Sequence, residues 1–285
     1  MKAFYFENIL IQQEDVWKRK KVVFTEDLFL PAHYLDWIPQ RKIQADVFKM
    51  SPGKIYADVE FPLTDKSLQD HYVRRYLYKG ASLLISTFDL GRKTDWKQRF
   101  HHYCEELSGI AIDYLVVPKM NIKYLTPEMV RYFGIQKVPF ILVYANQIHD
   151  LTHIPWGWLN QMQALVNIPI GCIKHPLSDL VMQELTESGF QTLSEVISNT
   201  PLSAETLSKT GISNKKGEIK IYNDTDFNLY VNSNQMNHYC QKDQVPYISI
   251  IRGNVVKLNQ TIYDNKGFGE FCDHTLKAQF WNKGL

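Results

Sequence analysis

The sequence predicts an α/β protein in which a parallel βα series occupies the middle of the chain and short strands occupy both ends. Five compact apolar runs rich in β-forming residues recur between positions 55 and 173, with helical patterns between them. Short runs broken by charges and prolines fill the first 50 residues, and short runs separated by turn residues return after position 217. Strands that alternate with helices are typical of a parallel sheet.

Size and charge restrict the classes of protein to which the chain can belong. Its 285 residues, of which 45% are hydrophobic and 13% aromatic, suffice for one large core, with or without a small satellite domain. The formal net charge of +2 provides no broad basic field of the kind that nucleic acid or an anionic membrane requires. We interpret the basic run at positions 18–21 as a solvated loop, and we expect neither nucleic acid nor a membrane among the partners.

The start of the chain and its cysteines predict a cytoplasmic protein. No apolar run approaches the roughly 18 residues that cross a bilayer, and Glu7, Glu14 and Asp15 lie where a signal peptide needs an uncharged core. The cysteines have neither the paired spacing of a zinc site nor a Cys-x-x-Cys redox motif. We expect reduced and mostly buried thiols at Cys104, Cys172, Cys240 and Cys272.

Apolar runs bounded by turn residues predict the strands. In the first fifty residues, Pro31 and Pro39 interrupt the apolar pattern, which suits short antiparallel strands at 3–11 and 22–30. Parallel strands are predicted at 55–61, 81–88, 110–117, 139–144 and 168–173. After Gly217 the pattern becomes all-β, with strands predicted at 218–222, 228–231, 247–252 and 255–258.

Start and stop signals predict helices at 68–78, 95–107, 127–133, 178–188 and 192–199. Gly80 terminates the first of these helices, and Thr94 is an N-cap for the second. Thr126, Pro127 and Glu128 supply an N-cap, a proline at the first helical position and an early acid for the third.

Several patches resemble one family in the correct order along the chain. A turn at Pro52 and Gly53 leads a strand in which Asp58 and Glu60 share one face, because side chains alternate across a strand. Further patches lie at 79–84 (Lys-Gly-Ala-Ser-Leu-Leu), 193–203, 215–219 (Lys-Lys-Gly-Glu-Ile), 224–229 (Asp-Thr-Asp-Phe-Asn-Leu) and 245–256. Together they cover nearly the whole chain and resemble the cyclic amidohydrolase, or dihydroorotase-like, branch of the metal-dependent amidohydrolases.

This resemblance implies a (β/α) barrel of the metal-dependent hydrolase type with a small β-sandwich built from both termini. The implied domains are 1–50 and 212–285 for the sandwich, and 51–211 for the barrel. A complete eightfold barrel takes about 250 residues, so five strands in this shorter region predict an incomplete or distorted barrel. The edges of a partial sheet must be covered by a helix, a loop or a second subunit, and we expect a homodimer.

The resemblance also identifies a candidate metal centre. The family places a His-x-His pair on its first strand, where this chain has Asp58 and Glu60. The two carboxylates are able to bind a hard ion through oxygen, although we favour ion pairs with lysines or hydrogen bonds to backbone groups. Lys119 follows the third strand near the position of the family's functional lysine, and a counter-ion to Asp58 or Glu60 is its simpler role.

Five further positions complete the candidate pocket. His149 and His153 are spaced as a metal pair on a helix would be, but the segment lacks a good helix start and a loop is favoured. Trp156 lies near the expected ligand-binding face of the barrel, where it either lines a pocket or fills the core. Lys174 and His175 occupy the place of the family's catalytic aspartate.

These observations lead to two main hypotheses, and the sequence assigns no catalytic residue. The leading hypothesis is an amidohydrolase-like protein with a degenerate metal site and no cofactor, which binds a small molecule or a protein partner. The alternative is a hydrolase of a C–N bond in a cyclic amide, with zinc or manganese held by Asp58, Glu60 and His175. A third possibility is a structural or assembly protein, which would lack a pocket over the strand ends.

Overall fold

A computed structural model describes residues 2–13, 16–36, 38–60, 63, 65–91, 94–231 and 245–272. Within these ranges the strands of the terminal sheet are β1 (Ala3–Gln13), β2 (Val16–Phe24), β3 (Phe29–Leu30), β4 (Gln40–Ile43), β5 (Phe48–Pro52), β11 (Phe227–Val231), β12 (Ile248–Ile251), β13 (Asn254–Leu258) and β14 (Thr261–Ile262). The central strands are β6 (Lys54–Asp58), β7 (Ala81–Asp89), β8 (Asp113–Asn121), β9 (Ile141–Tyr144) and β10 (Ile170–Cys172). The helices are α1 (Lys66–Tyr78), α2 (Trp96–Glu106), α3 (Pro127–Ile135), α4 (Trp156–Val166), α5 (Ser178–Glu187) and α6 (Ala204–Lys209).

The five central strands form a parallel sheet in sequence order, from β6 at one edge to β10 at the other. All five predicted central strands are present, although residue 61, the predicted end of the first, lies outside the described residues. The N-cap at Thr126 is confirmed, because its hydroxyl accepts a hydrogen bond from the amide of Met129 at 3.3 Å. The α/β class predicted from the alternating pattern is therefore correct.

The two edges of this sheet are covered by residues 191–202, which we call the strap. On the β10 side, the amide of Ile170 donates to the carbonyl of Gln191 at 3.0 Å, and the amide of Ile197 donates to the carbonyl of Cys172 at 2.8 Å. On the β6 side, the amide of Leu202 donates to the carbonyl of Ile55 at 2.8 Å. The predicted helix at 192–199 is wrong, because backbone groups of this segment bond to the sheet edges instead of to one another.

The strap changes the argument for a dimer. A partial parallel sheet needs its edge groups paired, and here residues of the same chain supply bonds to both edge strands. The homodimer stays a prediction, but the exposed edges that motivated it are covered within one chain.

Strands from both ends of the chain share a second sheet, in the order β14-β13-β12-β11-β5-β1-β2-β3, with β4 paired to β1. Its core contains Phe6, Phe24 and Phe227, whose rings lie 5.2 to 5.9 Å apart. Two predictions fail here. Residues 218–222 form a turn instead of a strand, and the basic run at 18–21 lies on β2 instead of in a loop.

A buried ion cluster joins the two sheets. Lys216 is fully buried, and its ammonium lies 2.8 Å from Asp113 at the start of β8, 2.9 Å from Asp224 and 2.7 Å from Asp226. Burial lowers the pKa of Lys216, but the three carboxylates outweigh it and raise that pKa well above its usual value. Arg252 adds a second cation 3.1 Å from Asp113. This cluster lies at the amino ends of the central strands, opposite the face where barrel ligands bind.

The cysteine prediction is confirmed where the structure describes the thiols. Cys172 and Cys272 are buried and Cys104 is half-buried, all three as free thiols, whereas Cys240 lies outside the described residues. Among the described helices, none combines the length and the apolar character that a bilayer span requires.

Candidate functional site

The two carboxylates of the first central strand end up in different environments. Asp58 ends β6 with no exposed surface, and the hydroxyl of Tyr76 donates to its Oδ1 at 3.2 Å. Burial, together with the negative charge of Asp58, raises the pKa of Tyr76 well above its usual value, so the phenol stays a donor. Glu60 lies two residues further along and is exposed. Asp58 is thus part of a buried hydrogen-bonded pair, and Glu60 faces solvent.

A cavity of about 470 Å³ opens at the carboxyl ends of β6, β7 and β8. Its volume lies within the range of small-molecule sites. The strand-end wall consists of Val59, Glu60, Thr87, Phe88, Asp89 and Lys119. The opposite wall is one face of α2, contributed by Arg99, His102, Tyr103 and Glu106.

Lys119 supplies a largely buried positive charge to this cavity. Its side chain is 18% exposed, and its ammonium donates to the carbonyl of Val59 at 3.3 Å. The carboxylate of Asp89 is 4.0 Å away, which is too long for a hydrogen bond. Lys119 was expected to pair with Asp58 or Glu60, but in the described part of the chain its ion-pair partner is Asp89. The correction follows from the strand order, because Asp89 and Lys119 are register partners on β7 and β8.

The wall formed by α2 combines aromatic and charged groups. The hydroxyl of Tyr103 donates to the carbonyl of Thr87 at 3.1 Å and lies 2.6 Å from the hydroxyl of Ser86. Burial raises the pKa of Tyr103 to about 12. Arg99 stacks over Phe88 at 5.3 Å from the ring centre. Sequence reasoning missed these residues, although positions 99, 102, 103 and 106 have the spacing of one helix face.

The remaining predicted site residues do not line this cavity. His149 and His153 are exposed, and His153 adopts a left-handed backbone conformation with φ of 61°. Trp156 is half-buried against Phe190, with ring centres 5.8 Å apart, which favours the core role. Lys174 is exposed. The ring of His175 lies 6.5 Å from that of Tyr144, also away from the cavity.

A second polar network orders the loops after β8 and β9. Asp150 accepts hydrogen bonds from the ammonium of Lys123 at 2.6 Å and from the amide side chain of Asn121 at 2.7 Å. It also accepts from the backbone amides of Asn146 and Gln147. Burial raises the pKa of Asp150, but these bonds outweigh burial and hold it far below its usual value. The carboxylate therefore fixes the short 3-10 helix Ile148–Leu151, which carries His149 where a loop was predicted.

A divalent metal centre of the amidohydrolase type needs several His or carboxylate side chains that converge on one point. Within the described ranges, no three or more His, Cys, Asp or Glu side chains are grouped so that they could hold a metal ion. Asp58 is turned toward the phenol of Tyr76, and Lys119 places a cation at the strand ends. A cation at this position opposes a second one by electrostatic repulsion. The described residues do not fit the metal centre that the resemblance implied.

Comparison with known proteins places the fold. No protein-family model matches the chain, and no curated protein matches it in sequence. Among solved structures, D-hydantoinase (dihydropyrimidinase) from Thermus sp. superposes with a TM-score of 0.62 at 11% identity, over 96% of this chain and 99% of that one. The chain has the fold of the hydantoinases. Dihydropyrimidinase from Brevibacillus agri superposes with a TM-score of 0.62 at 12% identity, over 96% of this chain and 99% of that one.

A third hydantoinase supports the same assignment. L-hydantoinase from Arthrobacter aurescens superposes with a TM-score of 0.62 at 12% identity, over 94% of this chain and 99% of that one. At this level of identity the likeness establishes the hydantoinase fold and leaves the chemistry open. The distorted barrel with an added β-domain, which the resemblance to cyclic amidohydrolases predicted, agrees with this fold.

Proposed function

We propose that this chain is a hydantoinase-fold protein with a degenerate metal site, which binds a small polar molecule in the strand-end cavity without metal-dependent hydrolysis. The observation that carries the proposal is Lys119. Its ammonium lies in the cavity at the carboxyl end of β8, on the face where βα barrels bind their ligands. A fixed cation in this place favours an anionic or polar ligand over a metal.

The shape and chemistry of the cavity support binding. Val59, Phe88 and Tyr103 give it an apolar wall, whereas Glu60 and Lys119 add opposite charges. Binding sites for small molecules combine such apolar surface with a few polar groups that orient the ligand. The carboxyl ends of the strands are also the face where βα barrels bind their ligands.

The fold favours a second candidate function. The structural neighbours are named hydantoinases and dihydropyrimidinases, so hydrolysis of a cyclic amide is the alternative. It requires Asp58, Glu60 and His175, or an equivalent set, to converge on zinc or manganese. The buried Asp58–Tyr76 hydrogen bond and the position of His175 outside the cavity argue against that convergence.

The binding site is tested by filling it. Thr87 lines the cavity and is half-buried, so Thr87→Phe should occupy the space and abolish binding of small polar probes, measured by protein NMR chemical-shift changes. Thr261→Phe, on the exposed strand β14, is the matched control and should bind as the wild type does. Probe signals that persist in Thr87→Phe, or binding that appears only after zinc or manganese is added, would contradict the proposal.

A further inference from the structure

We infer that the ligand of the strand-end cavity is a small amino-carboxylate, with its carboxylate bound to Lys119 and its amine bound to Glu60. This inference rests on the proposed function, since it names the chemical class that the same cavity would accept. It is drawn from the pairing state of the charged groups in the cavity.

Lys119 is an incompletely satisfied cation. A lysine ammonium has three N–H donors, and in the described part of the chain its hydrogen-bond acceptor is the carbonyl of Val59, at 3.3 Å. Asp89 lies 4.0 Å from it, and the Oδ1 of Asp89 accepts from the amide of Gly91 at 3.2 Å. A charge that is largely removed from water is costly unless it is paired. An anionic oxygen of a ligand would supply the missing acceptor.

Glu60 supplies the opposite charge in the same space. It lines the cavity, and among the described residues its carboxylate makes neither an ion pair nor a hydrogen bond to a side chain. Glu60 and Lys119 therefore face one cavity without forming an ion pair with each other. A ligand that carries both a carboxylate and an amine would pair with both groups at once.

The other charged groups of the cavity are already engaged. Arg99 donates to the carbonyl of Leu90 at 3.2 Å and stacks on Phe88. Glu106 lies 3.5 Å from Nε2 of His102, on the same helix. Among the described lining residues, the ion pair of Lys119 with Asp89 is too long for a hydrogen bond and Glu60 makes no ion pair, so a zwitterion without net charge matches these two groups better than a dianion or a diamine does.

The wild-type protein tests the inference directly. Isothermal titration calorimetry would use glycine, β-alanine, γ-aminobutyrate and 5-aminovalerate, which place the two charges at increasing separations. Butyrate and butylamine are the matched probes that lack one charge each. At least one amino acid of the series should bind about tenfold or more tightly than both single-charge probes. The reason is that one hydrogen bond to a charged group contributes a free energy equivalent to about a tenfold change in affinity.

Variants assign each end of the ligand. Lys119→Met should lower the affinity for the tightest-binding amino acid by about tenfold or more. Lys119→Arg should retain most of that affinity because it keeps the charge. Glu60→Gln should remove the preference for the amino acid over butyrate. Lys220→Met and Glu187→Gln change exposed side chains that do not line the cavity and should leave the affinity unchanged.

Several results would overturn the inference. One is binding of butyrate or butylamine as tight as that of every amino acid, another is failure of all four amino acids to bind, and a third is unchanged affinity in a folded Lys119→Met variant. If a neutral probe still binds in a way that Thr87→Phe abolishes, the cavity remains a binding site and only the ligand class is wrong. If no probe of any kind binds, the proposed function fails as well.

Discussion

The ammonium of Lys216 lies 2.7 Å from Oδ2 of Asp226 in a place where both side chains are almost completely buried. Asp113 and Asp224 lie within 2.9 Å of the same ammonium. Asp113 begins β8, and the other two carboxylates precede β11, so one cation connects the central sheet to the terminal sheet. This cluster is a structural element, since it lies at the opposite ends of the strands from the cavity.

Removal of this cation should destabilise the fold strongly. Lys216→Met leaves three buried carboxylates without their ammonium, and breaking a buried ion pair from one side typically costs about 3–5 kcal/mol. The free energy of unfolding from urea denaturation measures the loss. Lys209→Met, which removes an exposed lysine paired with Glu205 on α6, should cost less than about 1 kcal/mol. Equal losses in the two variants would refute the assigned role of Lys216.

The strap should depend on Leu193. This side chain is buried, and its Cδ1 packs against the Cα side of Gly171 on β10. Leu193→Ala should cost about 2–5 kcal/mol and should speed hydrogen exchange at the amides of Ile170 and Ile197, which bond across the strap. Leu68→Ala, on the exposed face of α1, is the control. Unchanged exchange at both amides in Leu193→Ala would show that the strap is held by other contacts.

The turn between β12 and β13 should tolerate only glycine at position 253. Gly253 has φ of 69°, and a Cβ atom there would overlap the backbone of Glu26. Gly109 has a similar φ of 88°, but its Cβ would meet open space. Gly109→Ala should therefore lower the free energy of unfolding only by the conformational penalty of about 1–2 kcal/mol. Gly253→Ala should lower the thermal unfolding midpoint more than Gly109→Ala does. The reverse order would contradict the packing of this turn on Glu26.

The Asp150 network predicts a specific acid dependence. Its folded-state pKa is depressed, so its stabilisation is complete above the unfolded carboxyl pKa of about 4 and is lost as the pH falls through the depressed value. Asp150→Asn should cost about 1.5–3 kcal/mol at neutral pH, and the difference from wild type should shrink below about pH 4. Urea midpoints of both proteins between neutral pH and pH 2 test this. A difference that does not change with pH would exclude the charge as its cause.

The central strands could be predicted because parallel strands are buried on both faces and read as continuous apolar runs. The strap could not be predicted in the same way. Leu193 and Ile197 are both buried and stand four residues apart, which mimics one face of a helix. In the structure they instead contact the edge of β10, a tertiary relationship that local periodicity does not contain.

The candidate site was only partly predictable for a related reason. Glu60 and Lys119 could be found because each lies at a predicted strand end. Polar residues of α2 such as Arg99 and His102 resemble an ordinary solvent-facing helix surface until the helix is packed beside the cavity. One partner of Lys216 was also hidden, because Asp113 lies about a hundred positions away in sequence.

Metal content and turnover, measured on one preparation, test the central claim most directly. The protein would be purified without chelator, analysed for metals, and then assayed with hydantoin and dihydrouracil before and after addition of zinc or manganese. Our account predicts substoichiometric metal and no ring opening above the buffer rate. One or more metal ions per chain, together with ring opening that disappears in Asp58→Asn, would contradict it.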